Sequence, residues 1–142
     1  LRLGNFPEVE MLDEGTEITF HCGIRQLETT NGTDFPVEYA GLSAELNVGD
    51  PILVADGLIR LTVLSTTGQP GGKVRCKVMD GGPISSRKGV NVPGTLVDLP
   101  AIGPKDKAAL QHALENGADY IAVSYVRTAK RFCVISGCPE KL

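Results

Sequence analysis

The chain has 142 residues, 42% of them hydrophobic and 22% charged, and its 14 Lys and Arg against 17 Asp and Glu leave a net charge of -3. That is enough apolar material for a sizeable core, and the acidic balance excludes broad attraction to nucleic acid or anionic lipid, so any anion has to be held locally. With 5% aromatics and no tryptophan there is no stacking platform for bases, and with neither a spanning apolar run of roughly 20 residues nor a signal peptide at the start, the expected location is cytoplasmic, away from membrane and nucleic acid.

From Glu8 to Met79 the pattern is that of strands. Short alternating runs at 9–12, 16–22, 36–40, 51–55, 58–65 and 73–79 are separated by Glu-Gly, Asn-Gly, Gly-Asp, Asp-Gly and Pro-Gly-Gly turn signals. Strands this short and this closely spaced predict a small antiparallel barrel or sandwich. In the fifth run Ile59, Leu61 and Val63 share one face and Leu58, Arg60, Thr62 and Leu64 the other, so one face belongs to the core. The polar stretch 27–35 reads as an exposed hairpin loop.

The character changes near Pro93. A short extended piece at 95–100 leads to Gly103 as N-cap and Pro104 at the first helical position, and Ala109, Leu110, Ala113 and Leu114 follow at helical spacing. Asn116 and Gly117 supply the stop, so a helix is expected at about 104–116. After it the apolar, β-branched run at about 119–126 suits a strand buried on both faces of a parallel sheet. Strand, helix and buried strand make the βαβ unit of an α/β barrel, here following an all-β module.

Cys22, Cys76, Cys133 and Cys138 are scattered apart from one C-x4-C pair, and His21 and Cys22 point to opposite faces of a strand. Buried free thiols are expected, and no metal site.

The stretch Ile84–Gly94 sets Arg87 and Lys88 beside Gly89 and Asn91, with no carboxylate between Gly81 and Val97. Arginine offers a planar fork of donors to a phosphate and lysine a mobile point charge, while glycine lets the backbone come close. The same residues also suit a solvated turn. Asp56-Gly57 is a hairpin turn first and a cation or donor site second. Arg2, in Leu1–Gly4, reads by itself as an exposed strand residue.

Taken in order, "LRLGNF", "LNVGDPILVADGLIRLTV", "SSRKGVNVPGTLVDLPAIGPKDKAAL" and "NGADYIAVSYVR" resemble the pyruvate kinase family, through its inserted lid and on into its barrel, over about Arg2 to Ala129. The resemblance implies a mainly β chain: a small β-barrel lid domain at 4–88, inserted through a hinge at 1–3 in a (β/α)8 TIM-type barrel of which 89–142 is a segment. It implies phosphoryl transfer from phosphoenolpyruvate to ADP, giving pyruvate and ATP, with Mg2+ (or Mn2+) and K+, in a homo-oligomer that is tetrameric in the family. Arg2 matches an arginine that contacts nucleotide phosphates; Arg87 and Lys88 match the basic pair before G-V-N; Asp56 and Asn91 belong to the same motifs. No catalytic residue and no metal ligand is expected in this chain, which alone would be inactive.

Two departures stand out. Ala55 replaces the first of the family's two aspartates, and Arg87 replaces a frequent lysine. The run Cys133–Glu140 is similar to the next barrel strand, with Gly137 at the position of its lysine, and reads equally as sequence outside the pattern. The competing functional class is a non-catalytic β-barrel that meets a protein partner.

Overall fold

The computed structural model describes residues 1–99 and 103–122. They fall into two compact units, Leu1–Val97 and the described part of Asp98–Leu142.

In the first unit the strands are β1 (Glu10–Leu12), β2 (Glu17–Cys22), β3 (Asp34–Val37), β4 (Pro51–Val54), β5 (Ile59–Thr66), β6 (Lys73–Asp80), β7 (Gly82–Ile84) and β8 (Val90–Asn91). A four-residue helix, α1 (Leu42–Glu45), lies between β3 and β4. Six strands form one sheet in the order β3-β2-β6-β5-β4-β8, and β1 pairs antiparallel with β7 in a separate ribbon. Period-two alternation puts Ile59, Leu61 and Val63 of β5 and Val74, Cys76 and Val78 of β6 inside, with Arg60, Leu64, Lys73, Arg75 and Lys77 on the solvent face. Register slips between Arg60 and Leu61 and between Val63 and Ser65 bend the β5–β6 ladder and help the sheet curl. Phe6 meets Phe35 edge to face, with ring centroids 5.4 Å apart.

What joins the two ends of this sheet is the N-terminal run. On one side Leu3 N–H donates to the Lys88 carbonyl at 2.9 Å and Val90 N–H to the Leu1 carbonyl at 3.1 Å; on the other, Gly4 N–H donates to the Pro36 carbonyl at 2.8 Å and Glu38 N–H to the Arg2 carbonyl at 3.2 Å. Residues 1–4 therefore lie between the β8 segment and the β3 edge and close the sheet into a barrel. Leu3 is fully buried at this seam, and a Cβ on Gly4 would come within 2.6 Å of the Arg25 carbonyl oxygen. Only glycine allows that approach.

The stretch 27–35 is not a hairpin loop. β2 and β3 run parallel, with Thr19 opposite Asp34 and Cys22 opposite Val37, so the connection crosses over instead of turning back, and Asp34 and Phe35 are already strand. The third run thus begins earlier than expected and ends at Val37. The β unit continues past Lys88, because Val90 and Asn91 pair with Val54 and Leu53.

In the second unit α2 spans Pro104–Glu115. The Asp106 carboxylate accepts the Gly103 N–H at 2.8 Å, half of a capping box. At the other end Gly117 takes φ 71 and Ala118 N–H returns to the Ala113 carbonyl at 3.1 Å, the left-handed stop that Asn-Gly predicts. Of the strand expected at about 119–126, residues 119–122 form no strand with any described residue, and 123–126 lie outside the described residues, as do Pro100, Cys133, Cys138 and Gly137. No helix among the described residues is long and apolar enough to cross a membrane.

Cys22 and Cys76 are buried free thiols. Burial, and then the neighbouring Cys22, push Cys76 up to about 12; burial also raises Cys22, against the pull of hydrogen bonds to Ser43. The unfolded chain thus releases these protons near the ordinary thiol value while the folded chain keeps them. The Cys76 contribution to stability is complete below pH 9 and is lost as pH rises toward 12, at up to about 1.4 kcal/mol per pH unit, and the Cys22 contribution changes in the same direction. Urea melts at pH 8, 9 and 10 should show that fall, and Cys76→Ala should flatten it. At fixed pH, Leu3→Ala should cost about 2–5 kcal/mol, because it leaves a cavity on the seam that closes the barrel; a loss under about 1 kcal/mol in the same melts would show that the seam does not carry the fold.

Candidate functional site

The chain enters the barrel along residues 1–6 and leaves it along 84–91, and these runs lie side by side. The Phe6 N–H donates to Ser86 Oγ and the Ser86 hydroxyl donates back to the Phe6 carbonyl, both at 2.8 Å. One step further, Arg87 N–H donates to the Gly4 carbonyl at 3.3 Å, and Arg2 pairs with Gly89 in an antiparallel bridge. Two residues 85 positions apart in sequence are thereby joined: the Arg2 guanidinium donates through Nη1 to the Arg87 backbone carbonyl at 3.1 Å. Arg87 itself takes φ 67, a left-handed backbone that a branched or bulky residue rarely adopts.

The β4–β5 turn completes the edge. Ala55, Asp56 and Gly57 all have positive φ, at 53, 58 and 94. Ala55 N–H donates to the Gly89 carbonyl at 3.1 Å, so the turn is tied to the outgoing run, and Asp56 Oδ1 lies 4.0 Å from where a Gly89 Cβ would stand. Asn91 is opposite Leu53 in the β4–β8 ladder, with its side chain exposed.

All five residues singled out in the sequence, Arg2, Asp56, Arg87, Lys88 and Asn91, are thus exposed and gathered along one edge of the barrel by backbone pairing among residues 1–4, 53–55 and 87–91. The arrangement offers two guanidinium groups and an ammonium group on a backbone fixed by its own hydrogen bonds. Such groups are of the kind that engage phosphate oxygens, although one of the guanidinium groups, that of Arg87, is paired with the Glu38 carboxylate.

Sequence reasoning missed two members of this edge. Ser86 anchors the base of the cation pair by its reciprocal bond to Phe6, and only the tertiary fold brings that partner within reach. Glu38 forms a salt bridge to Arg87, Nη1 to Oε1, with the two side chains 32% and 51% exposed respectively. The local run from Gly81 to Val97 contains no carboxylate, and the one that matters comes from the end of β3, 49 residues away. Among the described residues no group of three or more His, Cys, Asp and Glu could hold a metal ion.

The profile of the family described as pyruvate kinase, barrel domain, matches residues 1–137. A pyruvate kinase of Agrobacterium vitis is 38% identical over 132 residues, covering 92% of this chain and 27% of that protein. A cytosolic isozyme of pyruvate kinase from Solanum tuberosum is 41% identical over 119 residues, covering 82% of this chain and 22% of that protein. Among solved structures, a crystal structure of a pyruvate kinase from Cryptosporidium parvum superposes with a TM-score of 0.81 at 26% identity, over 96% of this chain and 27% of that one. The chain spans about a quarter of the length of these relatives.

Positive φ at Asp56 discriminates between side chains. Asp56→Asn should change stability by less than about 0.5 kcal/mol, since asparagine tolerates the left-handed region, while Asp56→Val should cost about 1–3 kcal/mol. Chemical denaturation of the two variants checks the turn geometry; equal stability would show that residue 56 is not held left-handed.

Proposed function

The chain belongs to the pyruvate kinase family, and we propose that its β-barrel is the lid that closes over nucleotide in phosphoryl transfer from phosphoenolpyruvate to ADP. The observation that carries this reading is the joining of Arg2 to Arg87 and Gly89 across the paired incoming and outgoing runs, with Lys88 between those two partners. Cations drawn from both passages into the lid are placed to neutralise phosphate oxygens when the lid comes down, and a closed lid excludes water from the transferring group.

Each residue has a distinct part. Arg2 and Arg87 offer guanidinium forks to phosphate oxygens, and Lys88 a mobile point charge beside Gly89, where the backbone is open to close approach. Asn91 can donate from its amide, and Asp56 can accept from a nucleotide hydroxyl or amine. Ala55 leaves this turn with one carboxylate where the family pattern has two.

In this reading the whole enzyme works in the cytoplasm as a homo-oligomer, and Mg2+ (or Mn2+) and K+ bind outside the described residues. The 142-residue chain by itself gives no turnover, because in-line transfer requires donor, acceptor and metal to be held together, and charge neutralisation alone does not create that geometry. The family match makes a stand-alone interaction module the poorer account of the chain.

The isolated chain should still bind ADP, in the millimolar range, since a few exposed charge-assisted contacts give no more than about 4 kcal/mol together. Titrating ADP into isotope-labelled protein should move the amides of Gly89, Val90 and Asn91, less so as salt is raised. Arg87→Ala combined with Lys88→Ala should abolish those shifts. Still amides at 89–91 while others move, or shifts that survive the double substitution, would overturn the lid reading; measurable turnover by the purified chain would overturn its inactivity.

A further inference from the structure

Resting on the phosphate reading above, we propose that Glu38 is a positioning residue that holds Arg87 while no nucleotide is bound and yields it to an incoming phosphate, so that nucleotide affinity is set by competition between a resident carboxylate and the phosphoryl oxygens.

The backbone of Arg87 has little freedom left. Its N–H is committed to the Gly4 carbonyl, its own carbonyl accepts Arg2, its φ is 67, and the preceding Ser86 is locked to Phe6. Only the side chain can choose a partner, and the one it has is the Glu38 carboxylate. Glu38 is no more mobile at its base, because its N–H donates to the Arg2 carbonyl at 3.2 Å. One backbone neighbour, Arg2, therefore anchors both members of the pair while presenting a second guanidinium beside them.

A carboxylate and a phosphate oxygen compete for the same guanidinium donors, so with Glu38 in place Arg87 cannot offer its full fork to both. The pair is part-exposed and screened, which makes it weak, and weakness suits a contact that has to open. A polyphosphate brings more negative charge than one carboxylate and gains Arg2 and Lys88 at the same time. The exchange then runs toward phosphate when a nucleotide arrives and returns to Glu38 when it leaves. It also keeps the empty edge from carrying three uncompensated cations, which would draw in any anion of the cell.

The test is ADP titration of the full 142-residue chain by NMR, with the Arg87 guanidinium Nε–H followed alongside the amides of 89–91. Glu38→Gln should shift that guanidinium resonance before any ADP is added and should then tighten ADP about two- to fivefold at low salt, the range a part-exposed ion pair can withhold. Glu38→Ala should do the same, Glu38→Asp should restore weaker binding, and in the Arg87→Ala background Glu38→Gln should have no effect. A purely structural role for Glu38 predicts lower stability without tighter binding. If the wild-type amides respond to ADP and Arg87→Ala weakens binding, yet neither Glu38→Gln nor Glu38→Ala tightens it, the exchange is overturned and the lid reading stands. If the wild-type amides at 89–91 never respond, the phosphate reading falls and the exchange with it.

Discussion

A single width of backbone, residues 1–4, stands between the two edges of the six-stranded sheet, and the rest of the first unit depends on it. Without it β3 and β8 would each present unpaired N–H and C=O groups, which attract other chains and leave the interior open on one side. With it, the carbonyl of Pro36 meets Gly4 and the carbonyl of Lys88 meets Leu3. Pro36 has no N–H to offer, which suits a sheet edge where one donor fewer can be tolerated. Leu3 then fills the interior at the point where the seam closes, so hydrogen bonding and burial are satisfied by the same four residues.

The seam is also what makes the candidate site. Arg2 is the residue next to Leu3, so its backbone is fixed by the closure and its side chain is exposed; it pairs with Gly89, while Leu3 takes the Lys88 carbonyl and Gly4 the Arg87 N–H, so the backbones of Arg87 and Lys88 are fixed by the same closure. Closure of the barrel and assembly of the cation group are one event. A substitution that loosens the seam would therefore disturb the spacing of these charges even when it touches none of them, whereas a change at Arg87 Cζ or Lys88 Nζ would leave the barrel intact.

The parts of this arrangement that are legible in the chain are those with local causes. Alternation in 51–54, 59–66 and 73–80, turn glycines, and the Gly-Pro start and Asn-Gly end of the helix all act within a few residues, and they appear in the structure as β4, β5, β6 and α2. The parts that were not legible have distant causes. The parallel pairing of β2 with β3 is decided by where the crossover lands, and Gly82–Ile84 and Val90–Asn91 are too short to show a period. Arg2, Asp56, Arg87, Lys88 and Asn91 could be named because a family motif marks them, but Glu38 could not, because its significance arises only when β3 comes to lie against the seam.

Four non-glycine residues adopt left-handed backbone among the described residues, and three of them, Ala55, Asp56 and Arg87, sit on this one edge. Each costs on the order of 1 kcal/mol for a side chain bearing a Cβ, so the concentration has to be maintained by its surroundings. Here the surroundings are visible: Ala55 is held by its bond to the Gly89 carbonyl, and Arg87 by bonds at both its N–H and its carbonyl. The chain could have placed glycine at any of these positions and avoided the cost. Glycine at 87 would have removed the guanidinium, and glycine at 56 the carboxylate, so at those two positions the strain accompanies a polar group that the edge presents to solvent. Ala55 carries no such group, and its methyl is buried. That difference separates strain that accompanies an exposed polar group, at Asp56, from strain that accompanies a buried methyl, at Ala55.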